Sequence, residues 1–250
     1  MSTVVGNLFG ILVMFIVKNV SKSLGNKEVL HNINFCLKKG QITALVGPNG
    51  AGKTTLMRCM VGFYDLDGGD IIFGSNNMLN ERKKVLQNVA YVPEIGGLYP
   101  DMTVFEYLRF MASIKGVLKN DFVKSLKEIV SALDIGKVIS QKCETLSKGY
   151  KRRVAIAGAM LSNPKMLILD EPTEGLDPQQ KKHLRTFLQE YGKKNIVLIS
   201  THIMEEVEAM ADRILMIKDG KLVCDTTPDE LKKATLGSNI EHSFYTIIGK

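Results

Sequence analysis

An apolar run from Ile42 to Val46 leads straight into Gly47-Pro48-Asn49-Gly50-Ala51-Gly52-Lys53-Thr54-Thr55. That order leaves a chain few folds to choose from. It reads as a strand, a glycine-rich loop and a helix start with the spacing G-x-x-x-x-G-K-[ST]. Glycines let backbone N–H groups turn inward around phosphate oxygens, and the following helix adds its positive end. Lys53 then reaches the outer phosphates, and Thr54 presents a hydroxyl to Mg²⁺. An ordinary glycine turn needs neither the lysine nor the strand–helix setting. All nine loop residues are therefore predicted to bind a nucleoside triphosphate.

The rest of the chain supplies a sheet to carry this loop. Apolar runs recur at Val89–Val92, Met166–Leu169, Ile196–Ser200 and Ile214–Ile217. Runs without a polar face suit parallel strands buried on both sides. With helical segments between them they predict a doubly wound α/β core. Met14–Leu37 instead reads as two β runs split by the turn Leu24-Gly25-Asn26, and Gly69–Gly74 as a further short strand, which predicts an antiparallel patch. Between Gly97 and Pro164 the pattern is helical. Thr103 and Glu106 form a capping box for a helix to about Ile114. Phe122, Leu126, Ile129, Val130 and Leu133 line one face of another helix beginning near Asp121. Asp177-Pro178 and Thr227-Pro228 read as N-cap and N1 pairs.

Two further segments carry chemistry. The strand Met166–Leu169 ends abruptly in Asp170 and Glu171. A buried strand can deliver Asp170 beside the phosphate loop to hold Mg²⁺, and Glu171 to orient and deprotonate an attacking water. Alone, two acids after a strand are as often a surface turn; the upstream loop tips the reading towards hydrolysis. Leu146-Ser147-Lys148-Gly149-Tyr150 precedes a helix expected over Lys151–Met160, with Ser147 as cap and Gly149 open to close approach by an anion. Lys151, Arg152 and Arg153 crowd its first turn, where cations oppose the helix dipole by ~0.3–1 kcal/mol each. Charge-assisted bonds to phosphate, ~1.5–3 kcal/mol each, would offset that. A capped helix with a solvated basic turn explains the segment equally well.

Composition narrows the setting. The 250 residues suffice for one sizeable domain or a core with a small insertion. The net charge of +7 suits anionic partners. Lys and Arg are spread along the chain, however, which argues for solvated faces and against nucleic acid. Cys36, Cys59, Cys143 and Cys224 are far apart and form no C-x-x-C pair, so they read as reduced, mostly buried thiols without zinc. The first 17 residues carry no charge, and Leu8–Val17 is apolar. The run falls below a usual membrane span and lacks the basic start of a secretory signal. The alternation from Met14 through Val20 favours a first strand there, with residues 1–13 an extension before the working start.

The phosphate loop, Leu146–Tyr150, Leu169-Asp170-Glu171-Pro172, Gly175-Leu176-Asp177 and His202 follow the order found in ATP-binding-cassette (ABC) ATPases. The chain resembles that family from Met14 to about Leu236. The resemblance implies an α/β fold: a RecA-like P-loop NTPase core with an antiparallel β subdomain and an inserted helical subdomain. It implies an ATPase domain over 14–236, helical at about 97–164, with 237–250 as a C-terminal tail. By similarity, ATP and Mg²⁺ are its cofactors. Two such domains would close head to tail, each ATP lying between one phosphate loop and the partner's Ser147 and Gly149. Lys53 corresponds to the phosphate-binding lysine, Thr54 and Asp170 to the Mg²⁺ partners, and Glu171 to the general base. His202 corresponds to the γ-phosphate contact, and Asp177 to the loop that signals across the dimer.

Three positions depart from the family pattern. Glu94 stands where Gln is usual, adding a carboxylate at a position that senses Mg²⁺ and nucleophilic water; the variant resembles one in exporters with separate permease chains. Lys148 and Tyr150 replace the commoner Gly and Gln. Leu24 stands near where an adenine-stacking aromatic is expected, forgoing ~0.5–1.5 kcal/mol.

Gly96–Phe105 lies where the family receives a permease helix, and Leu98, Tyr99, Met102 and Phe105 are its candidate contacts, about half of them expected to be core. The resemblance thus implies an ATPase subunit, peripheral on the cytoplasmic face of the membrane, that powers a separate permease in export. A soluble ABC ATPase of an assembly or regulatory complex is the alternative. A P-loop kinase or GTPase would leave the Ser147–Gly149 segment unexplained.

Overall fold

The computed structural model describes residues 14–94, 96–234 and 240–249. Residues 1–13, and with them the expectation of an N-terminal extension, lie outside the described residues. The chain opens with an antiparallel pair, β1 (Met14–Leu24) and β2 (Lys27–Lys38). Gly25 makes the turn at φ 59°, a conformation glycine adopts without strain. β3 (Gln41–Val46) leads through the glycine-rich loop into α1 (Lys53–Met60). β4 (Gly68–Phe73) and the short β5 (Asn76–Asn77) extend the antiparallel sheet in the order β2-β1-β4-β5. The two β runs and the Gly69–Gly74 strand expected from sequence are thus one sheet.

After α2 (Met78–Leu86) comes β6 (Val89–Val92). Three helices follow without an intervening strand: α3 (Val104–Ile114), α4 (Lys119–Ala132) and α5 (Lys148–Met160). Thr103 and Glu106 form the anticipated capping box on α3. α4 begins two residues before Asp121. α5 begins at Lys148 rather than Lys151, because the Ser147 side chain accepts from Tyr150 N–H and so fixes the helix start directly behind it.

β7 (Met166–Leu169), α6 (Pro178–Gly192), β8 (Ile196–Thr201), α7 (Met204–Met210), β9 (Arg213–Lys218) and β10 (Lys221–Thr226) complete the second sheet. Its order is β10-β9-β3-β8-β7-β6, parallel except for the β9–β10 hairpin. Alternate residues of the parallel strands feed two cores. Leu45, Ile168 and Leu198 meet α1 and the antiparallel sheet, whereas Val46, Leu167, Leu169 and Ile199 meet the helices behind. Arg213 joins the two sheets, with a bidentate grip on Asp225 at 2.6 Å and a third bond to the Cys36 carbonyl.

α8 (Pro228–Ala234) is capped by Thr227 as expected. The segment read as a tail contains a helix, α9 (Ile240–Ile248), whose Ile240, Phe244 and Ile248 are buried at helical spacing. Cys59 and Cys143 are buried, Cys36 and Cys224 half-buried, and all four are free thiols. Among the described residues, no helix is long and apolar enough to cross a membrane.

Candidate active site

The glycine-rich loop is held from below and behind. Gly50 and Gly52 take φ of 78° and 107°, where a side chain would be strained. A Cβ on Gly47 would run into the carbonyl of Ile217 in β9. Gly220, in the β9–β10 turn, donates its N–H to the Ala51 carbonyl at 3.0 Å and accepts from His31 N–H of β2 at 2.8 Å. Two distant segments, β2 and the β9–β10 hairpin, therefore clamp one loop. No side chain caps α1 at Gly52, so its first N–H groups are left to the cleft. Lys53 is 7% exposed and donates to the carbonyls of Gly47 at 2.7 Å and Pro48 at 3.2 Å. Burial pulls its pKa below the usual range, and the carboxylates of Glu171, Asp170 and Glu94 pull back.

Opposite the loop, β7 delivers Asp170, buried and bonded on both carboxylate oxygens. Oδ2 accepts from Thr54 Oγ1 at 2.9 Å and from the Tyr91 hydroxyl at 3.4 Å; Oδ1 accepts from Ser200 Oγ at 2.5 Å. Glu171 sits in the left-handed region at φ 47°, which costs roughly 1–3 kcal/mol for a non-glycine residue and persists only under outside restraint. Two restraints are present. Its N–H donates to Ser200 Oγ at 2.8 Å, and its Oε1 lies 3.1 Å from His202 Nδ1. The expected catalytic and metal-binding residues thus converge: Lys53, Thr54, Asp170, Glu171 and Glu94 line one cleft of about 170 Å³ with Val29 and the loop from Asn49 to Thr55. Glu94 is exposed at its mouth, and its pKa is raised by partial burial and then by Glu174, Asp170 and Glu171.

Thr54 hydroxyl and Asp170 carboxylate are hard oxygen donors, and two protein ligands suit Mg²⁺, which takes its remaining ligands from phosphate and water. No three acidic, His or Cys side chains among the described residues gather closely enough to hold a metal alone. The donor set therefore fits a metal that arrives with its phosphates.

Ser147 and Gly149 stand apart from this cleft. Ser147 caps α5, and Gly149 is buried beneath Gln180. Two of the three cations in the basic turn behind them are not free to meet phosphate, contrary to one reading of the sequence. The Arg152 guanidinium turns inward, donating to the carbonyls of Asp170, Pro93, Pro172 and Glu94. Arg153 donates to those of Leu133 and Asp134, and its guanidinium lies 4.4 Å from the Tyr150 ring centroid. Only Lys151 of the three is exposed. Asp177 caps α6, accepting from Gln180 N–H at 2.8 Å. Between it and Glu171, the Thr173 hydroxyl bonds the buried Glu206, which also holds Lys181 at 2.9 Å. Ser200, Tyr91 and Glu206 were not singled out by sequence, and Arg152 was given a different direction; for Ser200 the visible signal was a hydroxyl ending the apolar run of β8.

Beside the helices, Tyr99, Phe105 and Phe110 remain exposed, whereas Leu98 and Met102 pack partly against the core. Tyr99 meets Phe110 edge-on at 5.2 Å, and Arg109 lies 5.9 Å from the Phe105 ring centroid. A groove lined by Met102, Arg109, Phe110 and their polar neighbours Asp101, Glu106 and Ser113 runs alongside.

The family profile described as "ABC transporter" matches residues 30–174. The linearmycin resistance ATP-binding protein LnrL of Bacillus subtilis is 35% identical over 89% of this chain and 72% of its own length. The SkfA peptide export ATP-binding protein SkfE of the same organism is 37% identical over 84% of this chain and 87% of its own. A solved ATP-binding subunit of an ABC transporter superposes with a TM-score of 0.86 at 27% identity, covering 94% of this chain and 99% of that one.

Proposed function

The chain belongs to the ABC transporter family, as an ATP-binding and ATP-hydrolysing subunit, and from that premise we propose how it works. Two copies close head to tail over two ATP molecules and drive a separate permease that moves its cargo outward. In this reading residues 14–236 are the cassette and about 97–164 its helical subdomain. The observation that carries it is the bonded row Thr54–Asp170–Ser200–Glu171–His202 facing the phosphate loop.

Within that row each side chain has a separate task. Lys53 and backbone N–H groups of the glycine-rich loop hold the β- and γ-phosphates. Thr54 and Asp170 would hold Mg²⁺, with Glu94 at its edge; when bound, the ion supplies charge neutralisation on the phosphate oxygens. Glu171 orients and deprotonates the attacking water, a contribution of about 10²–10⁴ in rate. His202 fixes the Glu171 carboxylate and reaches towards the γ-phosphate. The cleft is open and lined by the phosphate loop and the acids, with Ser147 and Gly149 of the same copy outside it, which supports its completion by Ser147 and Gly149 of a second copy.

The exposed Tyr99, Phe105 and Phe110 around the groove support docking of an amphipathic permease helix, which would hold the subunit at the cytoplasmic face of the membrane. The relatives' names, resistance and peptide export, support outward transport.

Glu171→Gln tests the centre of this reading. The variant should bind ATP as the native protein does, accumulate as an ATP-bound dimer in size-exclusion chromatography, and hydrolyse at least about 100-fold more slowly. Normal turnover would remove Glu171 as the base. Purification from solubilised membranes should recover a hydrophobic partner; its absence would favour an assembly ATPase instead.

A further inference from the structure

Ser200 is 0% exposed near the end of β8, between the strands that carry the phosphate loop and the acids. Its hydroxyl makes two bonds whose directions are forced. A carboxylate can only accept, so Ser200 donates its one proton to Asp170 Oδ1, at 2.5 Å. A backbone N–H can only donate, so the same oxygen accepts from Glu171, at 2.8 Å. One atom thereby holds the side chain of the first acid and the strained backbone of the second. Donation to a charged group polarises the hydroxyl and strengthens what it accepts, so the two bonds reinforce each other.

We propose that Ser200 is a positioning residue that sets Asp170 and Glu171 as a pair, so that metal affinity and base placement stand or fall together through one oxygen. This rests on the roles given to the two acids above. Tyr91 and Thr54 hold only the other carboxylate oxygen, and neither reaches the Glu171 backbone. Ser200 alone among Asp170's side-chain donors connects the two residues. Without the hydroxyl, Oδ1 loses its side-chain donor, and the Glu171 N–H loses the acceptor that helps keep φ at 47°.

The test compares Ser200→Ala, Ser200→Thr and Asp170→Asn in the full chain, by fluorescence titration of an ATP analogue at varied Mg²⁺ and by steady-state hydrolysis. Removing an outer-shell partner of a metal ligand typically costs 10–100-fold. Ser200→Ala should therefore raise the Mg²⁺ needed for half-maximal binding by about 10-fold or more, leaving Mg²⁺-free binding unchanged. It should also lower kcat at saturating Mg²⁺. Ser200→Thr, which restores a hydroxyl, should recover most of both. A merely structural role would not move the Mg²⁺ requirement. If Asp170→Asn shifts that requirement and Ser200→Ala does not, Ser200 has no positioning role. If neither shifts it, the metal assignment of Asp170 falls, and this inference with it.

Discussion

Gln180 lies directly on Gly149: a Cβ added there would come 2.6 Å from the Gln180 amide carbon. The same Gln180 reaches back to the Asp177 N–H and completes the capping box of α6. Gly149→Ala can be accommodated only by swinging Gln180 away, which opens the cap. Caps are worth about 1 kcal/mol, so the variant should melt about 2–4 °C lower. In a Gln180→Ala background the same change should be nearly neutral, a coupling that a double-mutant cycle reads directly.

Lys53 brings a desolvated ammonium to the cleft and donates only to loop carbonyls. Lys53→Ala removes charge-assisted bonds worth ~1.5–3 kcal/mol with the phosphates. ATP affinity measured by calorimetry should fall by roughly 10- to 100-fold. Near-native binding would refute the assignment.

Glu94 adds a carboxylate where Asp170 and Glu171 already crowd the phosphates. Glu94→Gln removes like-charge repulsion towards an anionic ligand. Measured without Mg²⁺, ATP affinity should rise by up to about fivefold, the ~1 kcal/mol ceiling for exposed charges. The gain should shrink as salt is raised.

Arg152 is a buried cation that donates to main-chain carbonyls spanning the strand ends of β6 and β7. Arg152→Met leaves those carbonyls without their donor and should cost on the order of 3 kcal/mol in urea unfolding. Arg152→Lys should restore only part, because an ammonium cannot reproduce the planar fork.

The same arginine shows where sequence reasoning stopped. The parallel strands, the antiparallel patch and the caps at Thr103, Ser147, Asp177 and Thr227 were legible, because periodicity and capping are local. Arg152 and Arg153 read either as phosphate-facing cations or as part of a solvated basic turn, and both are buried instead, since their positive charge was visible and their direction was not. Placing them on the helix with Ile156 and Ala159 at i+4 and i+7 from Arg152 would have turned that side chain towards the core. Ser200 escaped for the opposite reason: its two partners lie 30 and 29 residues away in the chain, and only the sheet brings them together. α9 escaped because a short apolar stretch reads as a tail until its buried face has a neighbour.

Gly220 gives the β9–β10 hairpin a significance its position conceals. Its N–H fastens Ala51 of the phosphate loop and its carbonyl takes the His31 N–H, at φ 71°, with the Val29 carbonyl carbon 2.8 Å from where a Cβ would stand. A genetic screen for lost nucleotide affinity should therefore recover lesions in this turn alongside those in the loop itself. Insertions used to tag or split the protein would be poorly tolerated in this turn.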